Sequence, residues 1–221
     1  LYDMGQNMVG WEHFTVRGAQ NTTIVIRHAE MLNDSGKASR GNDGPEGSLY
    51  TANYRSAKAK GKYTLCGKEA GEEYRPAFTF YGFRYVELTA DDDIELLAFR
   101  CDVVGSDNQE TGYIETSDPD VNRLFRNILW GQRGNYLSVP TDCPQRDERL
   151  GWTGDTQVFA CTAAYNANVC AFFHKWLQDA RDSQREYGAF PDVIPRSRVV
   201  GEGGAAWSDA GIIVPYIIYK M

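Results

Sequence analysis

The sequence predicts an antiparallel β-sandwich followed by the opening helices of a larger all-α domain, and three observations predict it. Apolar residues recur with period two from residue 10 to about residue 104, the recurrence becomes helical after Tyr113, and residues 212–219 are apolar on nearly every side. The 221 residues suffice for two domains of about 100 residues each, which places a β domain at 1–112 and a helical domain at 113–221.

Trp11, Phe14 and Val16 start the β pattern. Ile24, Val25 and Ile26 follow, then Tyr63 and Leu65, the aromatic run 78–88, and the run 94–104. Turn-forming clusters separate them at 17–21, in the Gly-, Asp- and Ser-rich stretch 33–47, at 67–73, and at Asp91-Asp92-Asp93. With no helical period between them, such runs bury one face by pairing edge to edge and packing sheet on sheet. The Asp triplet lacks the alternating ligand spacing of a calcium loop and reads as a polar turn.

Ser117-Asp118-Pro119 supplies a cap and a proline for the first helical position, and Val121, Leu124, Phe125, Ile128 and Leu129 then fall on one helical face. A second helix is expected from Asp155 through Val158, Phe159 and Thr162 to Tyr165. Asn166 to Asn168 breaks the pattern and caps a third, carrying Val169, Phe172, Phe173, Trp176 and Leu177 to about Tyr187. After a Gly- and Pro-containing loop, 188–204, a last helix starts near Ala206. Its all-round apolar face, and a chain that stops at Lys220-Met221 without a Gly cap, lead to the expectation that this is a fragment of a larger helical domain.

A hydrophobic content of 42% excludes a disordered chain, and no stretch of about 18 uncharged apolar residues offers a membrane span. Thirty acidic against 23 basic residues leave a net charge of −7, a field that repels nucleic-acid phosphates. The five cysteines, Cys66, Cys101, Cys143, Cys161 and Cys170, lack CxxC spacing and are expected to be free, buried thiols. His13 and His28 read as strand-face residues and His174 as a helix-surface residue, with no metal-ligand grouping.

Chemistry concentrates in 139–155. Seventeen positions hold Asp142, Asp147, Glu148 and Asp155, two arginines (Arg146 and Arg149), Trp152, two prolines and two glycines, too polar and irregular for a core element. Long loops that carry charged and aromatic groups on a rigid scaffold are usually functional. Carboxylates beside a Trp suit glycoside hydrolysis: one carboxyl, kept protonated by burial and neighbouring negative charge, protonates the leaving oxygen. The remaining carboxylates and Arg146 can hold sugar hydroxyls, and an indole face can pack on a pyranose. A solvated loop whose Asp and Arg residues pair with one another remains open on composition alone.

Cys-Pro-Gln-Arg-Asp-Glu-Arg-Leu-Gly-Trp-Thr-Gly-Asp at 143–155 resembles the signature of the α-L-rhamnosidases of glycoside hydrolase family 78. Tyr-Asp-Met-Gly-Gln-Asn-Met-Val-Gly-Trp (2–11), Phe-Thr-Phe-Tyr-Gly-Phe-Arg-Tyr-Val (78–86) and Gly-Ala-Ala-Trp-Ser-Asp-Ala (204–210) resemble the same family in order and spacing. The resemblance implies a β-sandwich before an (α/α)6 barrel and inverting removal of terminal α-L-rhamnosyl groups without a cofactor or metal. It implies Glu148 as general acid, Asp142, Arg146, Trp152 and Asp155 around the rhamnose, and Trp207 as a later aromatic wall. A carbohydrate is the implied partner, and a homodimer is compatible with it. Ser208 departs from the Gly common in relatives, a change expected to leave the site unaffected. The family's general base falls later than residue 221, so the isolated chain is expected to turn over little or nothing.

Two rivals stay open. An (α/α)6-barrel polysaccharide lyase would use the same scaffold for elimination, and a non-catalytic rhamnose-binding module would use Phe78, Phe80, Tyr81, Phe83 and Tyr85 as a stacking platform. The alternation of Phe78 and Phe80 reads more simply as two faces of a sandwich strand. Asp147 is expected to pair with Arg149 or a backbone donor rather than to act in catalysis.

Overall fold

Strand β1 (Tyr2–Gly18) carries the period-two pattern into structure, with Glu12, Phe14 and Val16 buried and the residues between them partly exposed. The computed structural model describes residues 1–37 and 41–221; positions 38–40 of the turn expected at 33–47 lie outside the described residues. The chain divides into two units, 1–104 with 144–147 and 105–143 with 148–221.

The first unit is an antiparallel sheet built around β1, as expected of the β half. β2 (Thr23–Ala29), β3 (Met31–Leu32), β4 (Leu49–Tyr50), β5 (Lys60–Thr64), β6 (Glu72–Tyr74), β7 (Tyr81–Ala90) and β8 (Ile94–Val103) follow in order. The six-stranded sheet runs β5-β2-β7-β1-β6, with β8 also on β1, while β3 and β4 pair separately. Registers Gly10↔Tyr81, Gly10↔Val103 and Phe14↔Tyr74 place three neighbours along β1. Phe14, Val16, Ile24, Ile26, Leu65, Phe83 and Val86 form the core.

Two expectations need correction here, those for Phe78 and for the cysteines, while His28 lies on β2 as expected. Phe78 is no strand residue: it lies in a bend and is fully exposed, because Pro76 lacks an N–H and restricts Arg75 just ahead, so β7 starts at Tyr81. His28 is wholly buried, its Nε2 2.8 Å from Oε2 of the equally buried Glu12 and its Nδ1 3.0 Å from the Ala59 carbonyl. The Ala59 carbonyl can only accept, so Nδ1 donates to it. Of the cysteines, all free, Cys66 and Cys170 are exposed and the other three are half-buried. The Asp triplet is the expected turn, with Asp91 accepting from Thr23 N at 2.7 Å.

The second unit is helical. Asp118 caps α1 (Pro119–Asn135) by accepting from Asp120 N at 2.8 Å, with Pro119 opening the first turn. A short hairpin, β9 (Tyr136–Leu137) and β10 (Val139–Pro140), leads through the candidate loop to α2 (Thr153–Asn166), α3 (Cys170–Ser183) and α4 (Ala210–Lys220). α3 stops short of Tyr187 because Gln184 turns extended, and α4 starts later than Ala206 because that residue adopts φ 66°. Ala160 and Ala163 on α2 let α4 approach closely, around Phe173, Trp176, Ile194 and Val214. Among the described residues, Leu124 of α1 and Ile212, Tyr216 and Tyr219 of α4 remain exposed. No helix of the described residues is long and apolar enough to cross a membrane.

Candidate active site

Backbone bonds fold the loop before α2 onto itself. Asp142 N–H donates to the Leu150 carbonyl at 2.9 Å and Trp152 N–H donates to the same oxygen at 3.1 Å, which draws the two ends of the loop together. Cys143 and Arg149 take left-handed φ values of 54° and 58°. That conformation costs an L residue roughly 1–2 kcal/mol and persists where surrounding bonds over-determine it.

Glu148 is half-buried and accepts a 2.7 Å hydrogen bond at Oε1 from the indole Nε1 of Trp152. Trp152 was expected to offer its ring face to a sugar; it also uses its polar edge on the acid. Asp142, Cys143 and Glu148 bring one ligand-type atom each within 4.8 Å of one another. The thiol of Cys143 donates to Asp142 Oδ2 at 2.8 Å, which accounts for the closeness of two of the three. A tetrahedral metal site would need a fourth donor.

Asp155 joins this group from the first turn of α2. Although the residue keeps solvent exposure, partial desolvation pushes its carboxyl above the usual range, and the charges of Asp142 and then Glu148 push the same way. Three carboxyls therefore share one neighbourhood.

Trp207 reaches the site through a second loop. Asp192 accepts from Gly204 N at 3.0 Å, and the Ser208 hydroxyl accepts from Gly203 N at 2.8 Å while donating to the Phe190 carbonyl at 2.6 Å. The Asp192 carbonyl meanwhile receives Thr153 N–H and Oγ1–H at 3.0 and 2.9 Å, tying this loop to the start of α2. Ser208, expected to be neutral, thus helps hold the turn that carries Trp207. Gly154 is packed closely under the indole: a Cβ there would lie 2.9 Å from Trp207 Nε1, so the ring would have to shift.

A cavity of about 620 Å³, within the range of small-molecule sites, opens among these residues, with Asn135, Asp142, Asp155, Gln157, Phe159 and Trp207 in its wall. Glu148 and Trp152 are outside that wall and connect to it through Asp142. Five of the six residues singled out from sequence therefore group in the helical unit. Arg146 instead belongs to the sheet unit. There the carboxyl of Glu30 is raised by burial, an effect opposed by the amides of Asn7 and Asn53 and by the charge of Arg146. Asp147, also in that unit, accepts from the Ser56 hydroxyl and from the backbone N–H groups of Asp147 and Ser56, the backbone-donor alternative expected above, and these bonds lower its pKa. Sequence reading missed Cys143, Asp192 and Gln157; only the position of Cys143 inside the motif signalled any of them.

Comparison with known families decides what the loop belongs to. Residues 109–221, just over half of the chain, match the bacterial alpha-L-rhamnosidase 6 hairpin glycosidase domain, and residues 1–103 match the bacterial alpha-L-rhamnosidase concanavalin-like domain. The chain belongs to the bacterial α-L-rhamnosidases. It is 50% identical over 222 residues to an alpha-L-rhamnosidase of Streptomyces avermitilis, a match covering 100% of this chain and 20% of that protein. An alpha-L-rhamnosidase of Formosa agariphila is 41% identical, across 99% of this chain and 23% of its own length. The crystal structure of the Streptomyces avermitilis alpha-L-rhamnosidase complexed with L-rhamnose superposes with a TM-score of 0.88 at 49% identity, covering 98% of this chain and 20% of that one. The rhamnosidase chain described here thus spans about a fifth of the length of these relatives.

Proposed function

We propose that this chain supplies the acid-bearing part of an inverting α-L-rhamnosidase site, with Glu148 as the general acid. The observation that carries the reading is the indole N–H of Trp152 on Glu148 Oε1. That donor makes Oε1 an acceptor and fixes the plane of the carboxyl that delivers the proton to the substrate. The glycosidic C–O bond breaks as that proton passes to the leaving oxygen, while a water attacks the anomeric carbon from the opposite face and a carboxylate base takes its proton.

Asp142 is not that base. Inversion needs carboxyls about 6.5–9.5 Å apart to admit a water, whereas Asp142 and Glu148 offer atoms within 4.8 Å of each other. Asp142 and Asp155 serve as acceptors for sugar hydroxyls at the cavity wall, and Trp207 packs on the apolar ring face. The acidic net charge of −7 agrees with a neutral sugar rather than a polyphosphate partner.

The close approach of Asp142 to Glu148 favours a second reading, retention through an Asp142 adduct, because retaining pairs stand about 5–5.5 Å apart. Proton NMR of the first-formed rhamnose separates the two. Hydrolysis of an aryl α-L-rhamnoside by the complete natural protein carrying this chain should release the β anomer first. Initial α anomer would overturn inversion, and an ultraviolet-absorbing unsaturated product would indicate a lyase.

A further inference from the structure

We infer that Cys143 is a positioning residue for the sugar-binding carboxylate Asp142, an inference that rests on the functional reading above. Its thiol donates to Asp142 Oδ2 at 2.8 Å, and its Sγ lies with the Asp142 and Glu148 carboxylates inside a 4.8 Å group. Asp142 is the member that belongs both to this group and to the cavity wall. A donor on Oδ2 fixes the plane of the carboxylate and leaves Oδ1 as the acceptor for a sugar hydroxyl. It also draws off part of the charge by which Asp142 disfavours ionisation of Asp155.

The backbone gives an independent argument. Cys143 holds φ at 54°, a region where glycine is at no disadvantage and any side chain is strained. A residue kept there against that strain is kept for its side chain, and the atom that this side chain presents is a hydrogen-bond donor. The bond is charge-assisted, the stronger class of hydrogen bond. The residue is half-buried and forms no disulfide.

The test uses the complete natural protein, with L-rhamnose binding followed by tryptophan fluorescence and hydrolysis of an aryl α-L-rhamnoside followed by KM and kcat. Cys143→Ala should weaken rhamnose binding and raise KM about 3- to 10-fold with a smaller effect on kcat, as loss of one charge-assisted bond implies. Cys143→Ser, which keeps a donor and the same backbone strain, should recover most of the loss. Cys143→Gly should bind as poorly as Cys143→Ala while melting at a higher temperature, a combination that a purely structural role does not give. In an Asp142→Asn background, Cys143→Ala should add nothing. Unchanged rhamnose affinity in Cys143→Ala, or an effect that adds in full to Asp142→Asn, overturns this inference alone. A parent protein that neither binds nor hydrolyses rhamnosides overturns the functional reading, and this inference with it.

Discussion

The indole Nε1 of Trp152 lies 2.7 Å from Oε1 of Glu148, four residues earlier in a loop that is not helical there. The contact depends on the chain reversing between Asp142 and Trp152, which the shared Leu150 carbonyl enforces. It gives one carboxyl oxygen of the acid a fixed hydrogen-bond donor.

Trp152→Phe keeps a ring and removes the N–H, so it isolates that bond from any stacking. A hydrogen bond to an ionisable group contributes about 1.5–3 kcal/mol. If its effect falls on the transition state, kcat should drop roughly 10- to 100-fold with little change in KM. Steady-state kinetics on an aryl rhamnoside checks this; a raised KM at constant kcat would mean the indole acts only as a sugar platform.

Gly154→Ala should damage sugar binding without harming the fold. Its Cβ would fall 2.9 Å from Trp207 Nε1 and 3.1 Å from the Ala206 carbonyl, so Trp207, at 41% exposure, is the group able to move. Gly154 is the second residue of α2, where Ala restricts the unfolded chain more than Gly does. KM for rhamnosides should therefore rise several-fold while the melting temperature holds or increases, and a shifted tryptophan emission maximum should report the displaced ring. An unchanged KM would detach Trp207 from the sugar.

Asp155 makes a pH-dependent contribution whose sign follows from its raised pKa, set by burial, then Asp142, then Glu148. Just above the model-compound value of 3.8, the folded chain binds more protons at this position than the unfolded chain. Stability contributed here is present at lower pH and is lost as pH rises through the folded-state pKa. Glu30 acts with the same sign, so the informative quantity is the difference between variant and parent. Denaturant midpoints from about pH 3.5 to about pH 6 should fall less steeply in Asp155→Asn than in the parent; parallel curves would contradict the coupling.

What the sequence made legible was local. Asp118 and Pro119 announced α1 because a cap and a first-turn proline act within a few residues, and the alternation around Phe14 and Val16 announced β1. The 143–155 motif marked Glu148, Asp142 and Asp155 because all three sit in one loop or at its exit. What stayed hidden depends on distant partners. Asp147 meets Ser56 across 91 residues, and Glu12 meets His28 on a different strand. Phe78 misled because its aromatic neighbours outweighed a single upstream proline. Cys143 matters through a backbone conformation that residue identity alone does not reveal.

The general-acid assignment of Glu148 is tested most directly by Glu148→Gln in the complete natural protein, assayed on a series of aryl α-L-rhamnosides with graded leaving groups. The amide keeps the shape and loses the transferable proton. For poor leaving groups kcat should fall about 10²- to 10⁴-fold, and for the most acidic phenols, which depart without protonation, the loss should nearly vanish. A loss of the same size for every leaving group would contradict the role given to Glu148.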